Sequence, residues 1–195
     1  MPTIHLIRHG LTSANLEKRF AGRSNEPLHN DGIRQIKELA AKLKTKQISR
    51  IITGPLPRTR KTGEIIAKIL ELGVESNDGF NEIFLPHWDR LTKKEIRDRF
   101  GNEYPTWLDD PAGFSIAGCE TIKNVQTRAL HCMEKLFSDP DDQILVVTHL
   151  IVARALVLHY RNQPIDEFRS ITINNGDLTT FQRKNDGITT VTMTI

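Results

Sequence analysis

Three short apolar runs in this chain each end in a side chain suited to anion or proton chemistry. Ile4-His5-Leu6-Ile7 leads into Arg8-His9-Gly10, Ile51-Ile52-Thr53 into Gly54-Pro55-Leu56-Pro57-Arg58, and Ile144-Leu145-Val146-Val147 into Thr148-His149. Runs of this length, bounded by polar or turn residues, read as buried strands. If the three are parallel neighbours, their C-terminal ends open onto one edge of the sheet, where ligands of open α/β sheets bind. Arg8, His9, Arg58 and His149 would then converge on one small volume. Two guanidinium groups and two imidazoles there make a pocket for a dianionic group such as phosphate. On the pattern alone, scattered surface positions are the competing reading, because apolar strands followed by charge are common.

The elements that must position these groups are legible in the spacing. Ile33, Ile36, Leu39, Ala40 and Leu43 recur at steps of three and four, with Asp31 placed to cap the helix they predict. Ile65, Ile66, Ile69 and Leu70 predict a second helix after Arg58. Ile122, Val125, Ala129, Met133 and Leu136 predict a third that ends before Asp139-Pro140, and a fourth runs from Leu150 to about His159. Towards the C-terminus, Ile171–Ile173, Leu178–Phe181 and Thr189–Thr194 read as short strands, with Asn185-Asp186-Gly187 as a hairpin turn. Strands alternating with helices predict a three-layer α/β/α sandwich with a mainly parallel central sheet, and the terminal hairpin adds an antiparallel edge. No repeat or linker divides the chain, so residues 1–195 read as one domain. Residues 79–118 carry no clear period beyond a short helix near Lys93–Phe100, and such stretches often hold binding loops.

Composition narrows the function class. In 195 residues, 38% hydrophobic and 26% charged, with a mean hydropathy of -0.38, the chain reads as a globular protein able to bury roughly 70% of its unfolded surface. Twenty-seven cations against 24 anions fall short of a nucleic-acid binder's excess, and no basic stripe interleaved with aromatics appears. The apolar stretch Ile144–Tyr160 is broken by Thr148, His149 and Arg154 and so does not read as a membrane span. Met1 to His5 lacks the basic region of a secretion signal. Two cysteines, Cys119 and Cys132, fit a reduced compartment and lack the companions of a zinc site. A cytoplasmic protein is the expectation.

The wider motifs add a family resemblance along nearly the whole chain. Leu6-Ile7-Arg8-His9-Gly10-Leu11-Thr12-Ser13-Ala14-Asn15 resembles the R-H-G-x-T-x-x-N signature of the histidine phosphatase superfamily, the phosphoglycerate-mutase-like family. Gly22 through Pro27-Leu28, then Gly32 and Gln35, matches its next loop and helix start. Thr53-Gly54-Pro55-Leu56-Pro57-Arg58-Thr59-Arg60-Lys61-Thr62 resembles S-S-P-L-x-R-A-x-Q-T, and Asn81-Glu82-Ile83 with Trp88 resembles the general-acid segment. Gly118-Cys119-Glu120-Thr121 with Arg128, and Val146-Val147-Thr148-His149, complete six blocks in order.

The resemblance implies a phosphoglycerate-mutase-like fold and a set of roles. His9 would be the nucleophile and form a phosphohistidine. Arg8, Asn15, Arg58 and His149 would bind the phosphoryl oxygens. Glu82 would protonate the leaving alkoxide and then serve as base for water. No metal or other cofactor is expected, because guanidinium groups neutralise the charge. Arg8 and Arg58 should also oppose a third positive charge and keep His9 neutral. Arg23 and His87 are candidate contacts for the rest of the substrate. His5, His29, His131 and His159, by contrast, read as structural or solvated.

The chain departs from the family pattern in three places. Phe84-Leu85-Pro86-His87-Trp88-Asp89-Arg90 stands where glycines are usual, Leu150 follows His149, and Gly54 replaces a serine. The expected partner is a small phosphorylated substrate, with no nucleic acid and no membrane, and the sequence leaves the oligomeric state and the natural substrate open. Hydrolysis is favoured over the alternative, phosphoglycerate-mutase-type transfer, because no tail follows the final strand to exclude water. A non-catalytic phospholigand-binding protein is the rival from another class.

Overall fold

The computed structural model describes residues 2–139, 143–184 and 189–194. The chain opens with β1 (Thr3–Arg8), the one-turn helix α1 (Ser13–Leu16), α2 (Asn30–Leu43), β2 (Arg50–Thr53), α3 (Pro57–Leu70) and the two-residue β3 (Glu75–Ser76). It continues through α4 (Lys93–Phe100), α5 (Glu103–Asp109), α6 (Ile122–Phe137), β4 (Gln143–Thr148), α7 (Leu150–Tyr160), β5 (Leu178–Arg183) and β6 (Thr189–Thr194). One six-stranded sheet in the order β3-β2-β4-β1-β5-β6 organises these elements. The first three contacts in that order are parallel, and β5 and β6 add the antiparallel edge.

Alternation along the central strands builds the two cores. Ile4, Leu6, Ile52, Ile144 and Val146 face a large cluster with α6, α7 and the aromatics between residues 80 and 114. Ile7, Ile51, Leu145 and Val147 face a smaller one with α2 and α3. Each of these side chains is at most 2% exposed, and burial of one such side chain contributes about 1.5–3 kcal/mol. Helix α7 is apolar almost all round, with seven of its residues buried, as a helix wedged inside a core must be. Among the described residues, no helix is long and apolar enough to cross a membrane.

Three local expectations are corrected. Ile171–Ile173 is not a strand. Ile171 and Ile173 are buried, but their carbonyls accept from Arg154 Nε (2.6 Å) and Arg8 Nη1 (2.8 Å) rather than from a sheet neighbour. Asp31 does not cap α2. The helix starts one residue before it, and His29 Nδ1 accepts from the Asp31 N–H at 3.2 Å. The stretch 79–118 holds a second helix, α5, despite Pro105. The proline falls in the first turn, where no N–H is needed for the helix ladder. The turn expected at Asn185-Asp186-Gly187 lies outside the described residues.

Candidate active site

The order β2-β4-β1 makes the three strands parallel neighbours, with Arg8 opposite Thr148 and Thr53 opposite Val147. The ladder continues one bond beyond each end, through His9 N–H to the Thr148 carbonyl and Gly54 N–H to the Val147 carbonyl, both 2.9 Å. Arg8-His9, Gly54 and His149 therefore leave the sheet side by side. Pro57, at the first turn of α3, starts the helix that carries Arg58 back over this edge.

His9 is held in one tautomer. Its Nδ1 lies 2.8 Å from the Gly10 carbonyl, which can only accept, so Nδ1 carries the proton and Nε2 keeps its lone pair. Arg58 Nε donates to that Nε2 at 3.2 Å. Arg58 is itself only 1% exposed, and its remaining nitrogens donate to the Ser24 (3.0 Å) and Gly22 (2.6 Å) carbonyls. His149 is buried with its ring edge-on to His9, centroids 5.3 Å apart. Arg8 Nε and both ring nitrogens of His149 are buried and find no hydrogen-bond partner among the described residues. Buried polar atoms are normally satisfied, so three unpartnered around one imidazole mark a place for an oxyanion.

Electrostatics agree with the geometry. Burial pushes the His9 imidazole well below its ordinary value, and Arg58 and Arg8 push it further in the same direction. The expectation assigned this effect to the arginines; desolvation is the larger cause. The same causes hold His149 low, and Arg8 is pushed down to about 10, chiefly by burial. Glu82 goes the other way. Burial raises its carboxyl, partly offset by the Ile83 N–H and by Arg58, Arg128 and Arg8. A neutral imidazole thus shares the cavity with a carboxyl whose protonation burial favours relative to its ordinary value.

Arg8, His9, Asn15, Arg58 and Glu82 line one cavity; His149 is fully buried and does not line it, its ring lying against that of His9. Asn15 closes a capping box on α1 with Thr12. Its Oδ1 accepts from Thr12 and from Asn175 Nδ2 (3.0 Å), which leaves the Asn15 amide donor without a partner among the described residues. Arg23 and His87 do not line the cavity. Arg23 donates through Nε to the Glu82 carbonyl (2.9 Å) and through Nη2 to Glu120 (2.8 Å). His87 Nε2 bonds Glu103 at 2.7 Å. The adjacent Trp88 is fully buried and packs against Phe20, Tyr104, Trp107 and Phe114. Leu85 of the same loop is also buried in the large core, so a bulkier side chain than glycine is accommodated by packing there.

Sequence reasoning gave no role to several contributors, although it matched Glu120 and Arg128 to a family block. Arg128 Nη2 joins Arg23 on the Glu82 carbonyl at 3.2 Å, and Glu120 accepts from both arginines and from the Phe84 N–H. Asn175 Nδ2 also reaches the His9 carbonyl at 2.9 Å. Arg154 lines the cavity from α7; its signal was the single charge in an otherwise apolar helix. Gly54 has a steric reason as well. A Cβ there would stand 2.7 Å from the Phe80 carbonyl and 3.3 Å from His149 Nε2. The missing side chain lets the segment leading to Glu82 lie against the sheet edge, where Thr148 Oγ1 donates to the Phe80 carbonyl at 2.8 Å. Leu150 is half-buried in the cavity wall and packs on the large core.

Comparison with known proteins gives a consistent picture. The family model described as "Histidine phosphatase superfamily (branch 1)" matches residues 4–195. The chain is 31% identical to a probable 2-carboxy-D-arabinitol-1-phosphatase of Arabidopsis thaliana over 171 residues, which is 87% of this chain and 36% of that protein. It thus spans about a third of the length of that relative. It is 30% identical over 183 residues to a probable phosphoglycerate mutase GpmB of Photorhabdus laumondii, covering 91% of this chain and 83% of that one. Among solved structures, YhfR of Bacillus stearothermophilus superposes with a TM-score of 0.93 at 25% identity, covering 99% of this chain and 96% of that one.

Proposed function

The chain belongs to the histidine phosphatase superfamily, branch 1, and from that premise we propose that it hydrolyses a small phosphomonoester through a phosphohistidine on His9. The observation that carries the reading is the imidazole itself: buried, held neutral, its Nδ1 proton committed to Gly10 and its Nε2 lone pair presented beside Arg58. In the first step Nε2 attacks phosphorus and the bond to the ester oxygen breaks. Glu82, whose carboxyl burial makes easier to protonate, gives its proton to the departing alkoxide. In the second, water attacks the phosphohistidine, Glu82 takes its proton, and the P–N bond breaks to release phosphate and free His9. Arg8, Asn15, Arg58 and His149 hold the equatorial oxygens. The reading needs no metal, since guanidinium groups meet the developing charge. A relative named for 2-carboxy-D-arabinitol 1-phosphate supports a small phosphorylated substrate.

The test is a screen of phosphate release over a library of phosphorylated metabolites with His9→Ala as the blank. It is paired with an alkaline quench after mixing with labelled substrate. Label retained on the wild type and absent from His9→Ala supports the proposal; turnover that survives in His9→Ala removes it. The similarity to GpmB favours a second reading, phosphoryl return to another hydroxyl. Conversion of 3- to 2-phosphoglycerate primed with 2,3-bisphosphoglycerate, faster than phosphate release, would establish that instead.

A further inference from the structure

The cavity extends well beyond the phosphoryl end. Its volume is about 450 Å³, and Tyr104, Trp107 and Phe168 form an aromatic part of its wall. Among the described residues that line it, Glu82 is the only carboxylate, whereas Arg154, Arg169, Lys18 and Lys93 add cations beyond Arg8 and Arg58. Arg154 projects from the cavity side of α7, which also presents Leu150 and Ile151. Its Nε donates to the Ile171 carbonyl at 2.6 Å, and its guanidinium carbon lies 5.3 Å from the centroid of the Phe168 ring. These contacts fix the guanidinium while Nη1 and Nη2 have no hydrogen-bond partner among the described residues. Arg169, next to Phe168 in the short 3-10 helix Ile165–Arg169, makes no side-chain hydrogen bond or ion pair among them either. Burial and the repulsion of Arg169 both weaken Arg154's hold on its proton, and only Glu82 opposes them. Two like charges kept close without a carboxylate between them destabilise a fold, and an anion placed between them relieves the cost.

We propose that Arg154 and Arg169 form a second anion subsite. It would take a carboxylate or second phosphoryl group on the same molecule whose phosphomonoester lies at His9. The substrate class is then a small phosphomonoester with two anionic groups, drawn in by Lys18 and Lys93, which are exposed at the cavity wall. The inference rests on reading the His9 end as the phosphoryl end.

Binding calorimetry on the full chain tests it without requiring turnover. The probes are alkylphosphonates of increasing length, the ω-carboxylated phosphonates of matching length, and the matching α,ω-bisphosphonates. The best two-anion probe should bind at least about tenfold tighter than its alkyl counterpart. That ratio should fall to within about twofold in Arg154→Gln and in Arg169→Gln. The Arg169 variant breaks no bond within the described fold, so loss of folding cannot imitate the result. Whichever two-anion series shows the larger gain identifies the second group. A wild type with no gain at any length, a gain unchanged in both variants, or an equal loss on the plain alkylphosphonates would overturn the subsite. Hydrolysis of p-nitrophenyl phosphate measured alongside separates the two claims: its absence in the wild type, with the ratios behaving as stated, would remove the phosphatase reading and leave the subsite standing.

Discussion

Replacing Glu120 by glutamine should damage proton delivery without disabling phosphoryl transfer. Glu120 accepts four hydrogen bonds: Arg128 Nε at 2.9 Å and Nη2 at 3.2 Å, Arg23 Nη2 at 2.8 Å, and Phe84 N–H at 3.0 Å. Both arginines also hold the Glu82 carbonyl. Without the carboxylate charge, two guanidinium groups face each other across one carbonyl, with Asp89 still a neighbouring carboxylate beside Arg23. A general acid contributes about 10²–10⁴ in rate, and misplacement by about 1 Å costs about 10². We therefore expect kcat on an alkyl phosphate, whose leaving group needs a proton, to fall by about 30- to 100-fold. On 2,4-dinitrophenyl phosphate, whose leaving group departs unaided, the loss should stay within about threefold. The added positive field also lowers the Glu82 carboxyl, so the basic limb of the kcat/KM profile moves to lower pH. Steady-state rates on the two substrates, with Glu82→Gln alongside, decide the matter. An equal loss on both substrates means that Glu120 merely supports the fold, and an unchanged alkyl phosphate rate refutes the positioning argument. If Glu82→Gln itself shows no dependence on the leaving group, the general-acid assignment falls first.

Gly54→Ser, which restores the residue usual in the family, should lower both Tm and kcat, because its Cβ would stand 2.7 Å from the Phe80 carbonyl; overpacking of this kind costs about 1–3 kcal/mol, and a scanning calorimetry trace no lower than wild type would contradict it. Trp88→Ala removes a fully buried ring at the centre of the aromatic cluster and should cost about 3–5 kcal/mol in urea unfolding, a loss under about 1 kcal/mol meaning that the cluster is not a working core. Stability should also fall on mild acidification. His5, His9 and His149 all sit below the ordinary imidazole value of 6.5 in the fold, so the unfolded chain takes up protons that the native state refuses. Each such site removes up to about 1.4 kcal/mol per pH unit below about pH 6.5. Glu82, raised in the fold, acts in the opposite sense at lower pH. Urea midpoints that do not decline from about pH 7.5 to about pH 5.5 would rule this out.

The parts of the fold legible in the sequence were those where period and burial coincide. Strands β1, β2 and β4 and helices α2, α3, α6 and α7 announced themselves through apolar spacing, and their ends placed Arg8, His9, Arg58 and His149 together. Residues 79–118 resisted because their order comes from aromatic rings packed at edge-on angles around Trp88, a tertiary arrangement with no sequence period. Ile171–Ile173 misled for a related reason: β-branched residues suit a strand, but two arginine side chains from elsewhere captured the carbonyls a ladder would have used. Asn175 was invisible as a contributor because its amide donates to backbone carbonyls, which no pattern of residue types records; Glu120 and Arg128 stood in a matched block, but nothing in the block showed that they join Arg23 around the Glu82 carbonyl. Burial of His9, the chief reason for its neutrality, is likewise a property of the assembled core.

The position of β1 in the sheet has a consequence for biosynthesis. This strand leaves the ribosome before the other five of the sheet, yet both its neighbours are distant, Thr3 pairing with Gln143 on one side and Gln182 on the other. Its two hydrogen-bonding edges must wait until β4 and β5 have been made, and the loop bearing Asn175, which grips the His9 carbonyl, emerges later than β4. The site is thus inert until β4 and the Asn175 loop have both emerged, and the Thr3–Arg8 segment is where a holding chaperone would be needed longest.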